Sequence, residues 1–144
     1  NLVQPGKLTV CGEKMDLGNL DLPVYIYGSR EDHIVPINAA YASTQVLPGK
    51  KRFVMGASGH IAGVINPPAK GKRSHWIRAD GKLPATLDQW LQGATEHPGS
   101  WWTDWSGWLK GHAGKQIAAP KSYGKGTKFK AIEPAPGSYV KQKA

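Results

Sequence analysis

The chain has 144 residues, 40% of them hydrophobic, and a formal charge of +9. That length suits one domain, and no apolar run approaches the roughly 18 residues a membrane span requires. Cys11 is the single cysteine, so no disulfide can close within the chain and a cytoplasmic setting is the default expectation.

The charge is unevenly spread. Residues 109–144 hold eight lysines against Glu133 alone, a net +7, which leaves +2 for residues 1–108. The chain also opens on Asn1 and has no basic start followed by an apolar core and a cleavage site. It is expected to be the C-terminal piece of a longer polypeptide.

Pro23-Val-Tyr-Ile-Tyr-Gly28 is β-branched and aromatic between turn residues, the pattern of a buried strand. Pro36 suits the first turn of a helix over residues 37–47, which Pro48-Gly49 ends. Lys51-Arg-Phe-Val-Met55 follows as a second strand, and strand, helix, strand over this span predicts a parallel, right-handed βαβ unit. Both strands then end on one edge of the sheet, where open α/β folds place their sites.

Past that point the apolar run Ile61 to Ile65 is closed by Asn66-Pro67-Pro68 and reads as a loop beside the site. Residues 69–83 are mostly polar and basic and read as an irregular surface excursion. Leu87, Trp90, Leu91 and Ala94 fall on one face of a short helix over residues 85–94. A further helix is expected after Gly99, capped by Ser100 and stopped by Gly111, with Trp101, Trp105 and Trp108 on one face. That face suits packing better than a sugar-stacking platform. The expected division is residues 1–111 as the body and 112–144 as a basic tail rich in Gly, Pro and Lys, which lacks the apolar content for its own core. The tail reads as a solubilising or docking element, not a nucleic-acid site, because arginine and aromatic residues do not interleave in it.

Two motifs carry chemistry. Tyr27-Gly-Ser-Arg-Glu-Asp-His-Ile-Val-Pro36 places Asp32 beyond the first strand, and Gly56-Ala-Ser-Gly-His-Ile-Ala-Gly63 places His60 beyond the second. An acid and then a histidine on consecutive strand ends is the order of the last two triad members in an α/β-hydrolase fold. The carboxylate would take the Nδ1 proton of His60 and fix its tautomer, leaving Nε2 to deprotonate a nucleophile. Glu31 is the rival acid. Asp32 is favoured because it directly precedes the apolar Ile34-Val35-Pro36, where the chain turns inward. His33 reads as a hydrogen-bonded loop residue.

Cys11 is flanked by Thr9 and Glu13 where a nucleophile elbow needs small residues, so it reads as a structural thiol. His75, His97 and His112 lack partners at metal-ligand spacing, so no metal site is expected. Acid-base order alone leaves open an esterase, a dehalogenase, or a non-catalytic module that uses the basic tail to hold an anionic partner.

The two site motifs, the continuation Val64-Ile-Asn-Pro-Pro68, Gly99-Ser-Trp-Trp102 and Glu133-Pro-Ala-Pro-Gly-Ser-Tyr-Val140 together resemble the C-terminal part of class I polyhydroxyalkanoate synthases across nearly the whole chain. The resemblance implies an α/β-hydrolase-fold acyltransferase that needs no cofactor. An upstream cysteine would accept (R)-3-hydroxyacyl groups from coenzyme A and pass them to a growing polyester, with coenzyme A released. Asp32 and His60 match the acid and base positions, and the resemblance leaves open whether Asp32 only orients His60 or also helps deprotonate the incoming 3-hydroxyl. Ala62 matches a position that influences which acyl side chain is accepted. The resemblance further implies a homodimer at the surface of cytoplasmic polymer granules. Gly-x-Cys-x-Gly is absent here, so this piece alone is expected to be inactive.

Overall fold

Both apolar runs beyond residue 20 that suggest parallel strands form them in the computed structural model, which describes residues 1–143. Strand β3 (Val24–Ser29) pairs in parallel with β4 (Lys51–Gly56), from Val24 opposite Lys51 to Ser29 opposite Gly56, and helix α1 (Ile37–Val46) joins them. A parallel pair needs such a crossover because the chain must return to the same end before the second strand starts. Pro36 sits immediately before α1, its backbone extended, and Leu47 leaves the helix with its N–H still bonded to the Ser43 carbonyl.

The earlier strands are β1 (Leu8–Val10) and β2 (Glu13–Met15), a small antiparallel hairpin of its own. Cys11 and Gly12 turn it with φ of 50° and 85°, the left-handed pair that matches strand twist in a two-residue hairpin. Cys11 is therefore an exposed turn residue, which corrects the reading of a structural thiol.

Residues 69–83 are not an irregular excursion throughout. Strand β5 (Ser74–Ile77) pairs antiparallel with β4, and β6 (Thr95–Pro98) pairs antiparallel with β5, giving a mixed sheet of order β3-β4-β5-β6. The polar composition misleads because Ser74, His75, Trp76 and Ile77 alternate across a strand covered on both faces. His75 is buried, and its ring Nδ1 lies 3.1 Å from the Gly99 carbonyl oxygen.

Alternation gives the main sheet two unlike faces. On one, Ile26, Phe53 and Met55 pack with Tyr41 of α1 and with Leu87 and Trp90 of α2 (Leu87–Gln92). Phe53 meets Tyr41 and Trp90 edge to face, each at 4.9 Å between ring centroids. Thr86 and Gln89 start α2 with reciprocal side-chain and backbone hydrogen bonds, a capping box. On the other face, Tyr25, Tyr27, Ser29 and Arg52 lie under the Trp101 ring and helix α3 (Trp102–Lys110). Ser100 accepts from the Trp102 N–H at 3.0 Å, so it does bond the first turn, one residue earlier than a formal cap.

The chain divides into two units, Asn1–His112 and the residues from Ala113 onward. In the second unit Lys125 bridges Phe129, and the Glu133 carboxylate accepts from the Ser138 N–H and hydroxyl ahead of a short 3₁₀ turn at Ser138–Lys141. Its described side chains are nearly all exposed.

Candidate active site

Parallel pairing does not stop at the strand ends. The Arg30 N–H bonds the Gly56 carbonyl at 2.8 Å and the Glu31 N–H bonds the Ser58 carbonyl at 3.0 Å, so the two loops leave the sheet laced together. Ser58 has φ of 74°, a left-handed conformation costing a non-glycine residue on the order of 1–3 kcal/mol, and it turns the chain two residues ahead of His60. Gly63 closes the following turn, its N–H on the Gly59 carbonyl at 2.8 Å.

These loops bring Asp32 and His60 together. His60 Nδ1 lies 2.9 Å from Asp32 Oδ2. The other carboxylate oxygen, Oδ1, accepts from the backbone N–H groups of Ile34 and Val35, both at 2.9 Å. The Val35 N–H first, with His60 and the Ile34 N–H, holds the Asp32 carboxyl below its ordinary value against the opposing effect of burial. An ionised acceptor on Nδ1 fixes the proton there and leaves Nε2 as the basic nitrogen of a neutral imidazole. The His60 side chain is 40% exposed while Asp32 is only 7% exposed, so the imidazole is reachable and the carboxylate beside it is covered.

The rival acid does not reach this pair. Glu31 is exposed and contacts Arg30 at 3.5 Å. His33 is exposed and, among the described residues, makes no side-chain hydrogen bond, unlike the hydrogen-bonded loop residue expected for it. Ala62 is half-buried in the turn two residues past His60. His75 and His97, without evident partners in the sequence, stack on each other at 5.6 Å because β5 and β6 pair them directly. Among the described residues no group of three or more His, Cys, Asp or Glu side chains is arranged to hold a metal ion, and no helix is long and apolar enough to cross a membrane.

Two tryptophans reach the histidine loop, a connection the spacing on α3 did not reveal. Trp101 Nε1 donates to the Gly63 carbonyl at 3.2 Å and Trp102 Nε1 to the Val64 carbonyl at 2.9 Å. The only sequence signal for these contacts was the double tryptophan itself, just after a glycine and a serine. Around the pair, Ile34, Val35, Ile61 and Ile65 expose apolar surface, Ile61 to 70%.

No family model matches the chain. Comparison with individual proteins does: the chain is 66% identical over 140 residues to the poly(3-hydroxyalkanoate) polymerase subunit PhaC of Cupriavidus necator, a match that covers 97% of this chain. The chain is similar to a segment of the poly(3-hydroxyalkanoate) polymerases. The subunit of the same name from Rhizobium etli is 38% identical over 143 residues, and poly(3-hydroxyalkanoate) polymerase 2 of Ectopseudomonas oleovorans is 37% identical over 139. The chain spans 23%, 22% and 24% of the length of these three polymerases. The three matches cover 97%, 99% and 96% of this chain.

Proposed function

We propose that this chain is the C-terminal part of an α/β-hydrolase-fold poly(3-hydroxyalkanoate) polymerase, in which Asp32 and His60 are the acid and base of a triad completed by a cysteine outside it. The 2.9 Å approach of His60 Nδ1 to one oxygen of an Asp32 carboxylate whose other oxygen is held by two backbone N–H groups is the observation that carries this reading. The similarity to polymerases selects this activity over an esterase or a dehalogenase of related geometry.

The chemistry follows from the geometry. His60 Nε2 takes the thiol proton, and Asp32 stabilises the resulting imidazolium. The thiolate attacks the thioester carbonyl of an (R)-3-hydroxyacyl-coenzyme A, the acyl group moves to sulfur, and coenzyme A leaves as the thiol by taking the proton back. In the extension step the same imidazole removes the proton of a 3-hydroxyl, whose oxygen attacks an acyl thioester; the C–S bond breaks, the thiolate leaves and takes that proton from the imidazolium, and the new ester lengthens the chain. Asp32, covered and held as the anion, acts through His60 in both steps. The apolar rim of Ile34, Val35, Ile61 and Ile65 suits an acyl chain, and the small Ala62 beside the base leaves room for its side group. The complete enzyme would work as a homodimer at a cytoplasmic polymer-granule surface.

In the complete polymerase that carries this segment, His60→Ala and Asp32→Asn should each lower coenzyme A release by about 10⁴-fold or more, the scale set by loss of a triad member. Thiol release assayed with a chromogenic disulfide reads this directly, with circular dichroism to establish that the fold is kept. Near-parental turnover in both variants defeats the proposal.

A further inference from the structure

A closed circuit of three side chains and the Gly63 backbone ties the two loops of the acid-base pair together. The Trp101 ring stacks on Tyr27 at 4.2 Å and 25°. The Tyr27 hydroxyl and Ser29 Oγ share a 2.9 Å hydrogen bond. Ser29 is 1% exposed, and its hydroxyl faces Gly63 so closely that a Cβ at Gly63 would overlap it and the carbonyls of Ala57 and Gly59. The Gly63 carbonyl then accepts from Trp101 Nε1, which returns the circuit to its start, and Trp102 adds a second indole N–H on the adjacent Val64 carbonyl. Gly56 permits the arrangement, since any side chain there would collide with the Tyr27 hydroxyl.

Each arm of the circuit carries one member of the acid-base pair. Ser29 ends β3 and its carbonyl accepts the Asp32 N–H at 3.2 Å, while Gly63 closes the turn that holds His60. A shift anywhere in the circuit changes the separation of Asp32 and His60 without touching either. Resting on the acid-base reading above, we infer that Tyr27, Ser29, Trp101 and Trp102 are positioning residues for the Asp32–His60 pair. Packing alone would need the tryptophan rings but not their N–H groups, and both N–H groups are directed to consecutive carbonyls of the histidine turn. A misplacement of reacting groups by 1 Å costs about 100-fold in rate, so even a slack circuit should be visible in turnover.

The test separates N–H from ring and is run on the complete polymerase. Replacing Trp101 by 3-benzothienylalanine keeps the ring shape and removes only the donor, and Tyr27→Phe cuts the circuit at a different bond. Both should lower kcat by about 10-fold to 100-fold with KM within about twofold of the parent, and with the folded secondary structure retained. Parental kcat in both variants, or a rise in KM at unchanged kcat, overturns the inference. If the Trp101 variant does not fold, Tyr27→Phe alone decides between the same outcomes. His60→Ala and Asp32→Asn run alongside: if they retain turnover the acid-base reading falls, whereas if they are inactive and the folded circuit variants are all normal, only the circuit falls.

Discussion

The two faces of the main sheet use the same strands for different purposes. Ile26, Phe53 and Met55, on the face toward α1 and α2, present no side-chain polar group that needs a partner, and they bury Trp90 to 1% exposure. The opposite face presents Tyr25, Tyr27, Ser29 and Arg52, and every one of these polar groups is bonded: Tyr25 and Arg52 to Asp104, Tyr27 to Ser29. Apolar packing is insensitive to direction, so the first face supplies stability. Hydrogen bonds have fixed directions, so the second face fixes geometry, and that is the face whose aromatic residues reach the His60 loop.

The contrast predicts different failures. Trp90→Ala should give the largest loss of stability, about 3–5 kcal/mol, because it empties the centre of the apolar cluster. Once the temperature is low enough to keep the variant folded, its turnover per folded molecule should stay near parental. Thermal unfolding paired with active-site-normalised rates checks this, and a rate loss matching that of Tyr27→Phe would erase the distinction between the faces.

The next effect in size concerns Asp104, which anchors α3 to the polar face. Burial favours its neutral form, but hydrogen bonds from Arg52 and then Tyr25, with the Arg52 charge, overcome this and hold its carboxyl below the ordinary value. A depressed folded value means that the stabilisation is present above the unfolded carboxylate value, near 4, and disappears as pH falls through the folded one. Asp104→Asn should therefore be less stable than the parent at pH 7 by about 1.5–3 kcal/mol, and the difference should shrink steadily below about pH 4. Melting temperatures of both proteins across pH 7 to 2 give the test; a gap that stays constant in acid would mean that the carboxylate charge contributes nothing.

How much of this could be read beforehand follows the same division. The parallel pair is legible because Val24–Ser29 and Lys51–Gly56 centre on the apolar or aromatic runs Val24 to Tyr27 and Phe53 to Met55, with Pro36 and Pro48-Gly49 as punctuation between them. From parallel strands the meeting of Asp32 and His60 follows, since both loops start at one sheet edge. Strand β5 is not legible because a serine and a histidine read as solvent-facing, whereas His75 is buried in the fold, which is a tertiary fact. The capping box of Thr86 and Gln89 was present as a local signal and would have placed the start of α2. For the tryptophan circuit the local signal is confined to the double tryptophan, which does not say what the rings reach. Its bonds join Trp101 and Trp102 to carbonyls 38 residues away, and periodicity along α3 reports which side chains share a face but not where an indole N–H points.

The residues from Ala113 onward, a separate unit, extend the comparison from packing and hydrogen bonds to charge. Their lysines are exposed, and substitutions at exposed positions outside special contacts usually change stability by no more than about 0.5 kcal/mol. Their charge acts at longer range, through attraction to anions that weakens as salt shortens the screening length. Changing Lys115, Lys121, Lys125 and Lys130 to Gln in the complete protein should leave the melting temperature within about 2 °C, given the shift expected per kcal/mol. Retention on an anionic heparin resin should move to lower salt. A melting temperature that falls as far as that of Trp90→Ala would show that these charges bear on the stability of the Asn1–His112 unit, and unchanged retention would show that the +9 of the chain is expressed elsewhere on its surface.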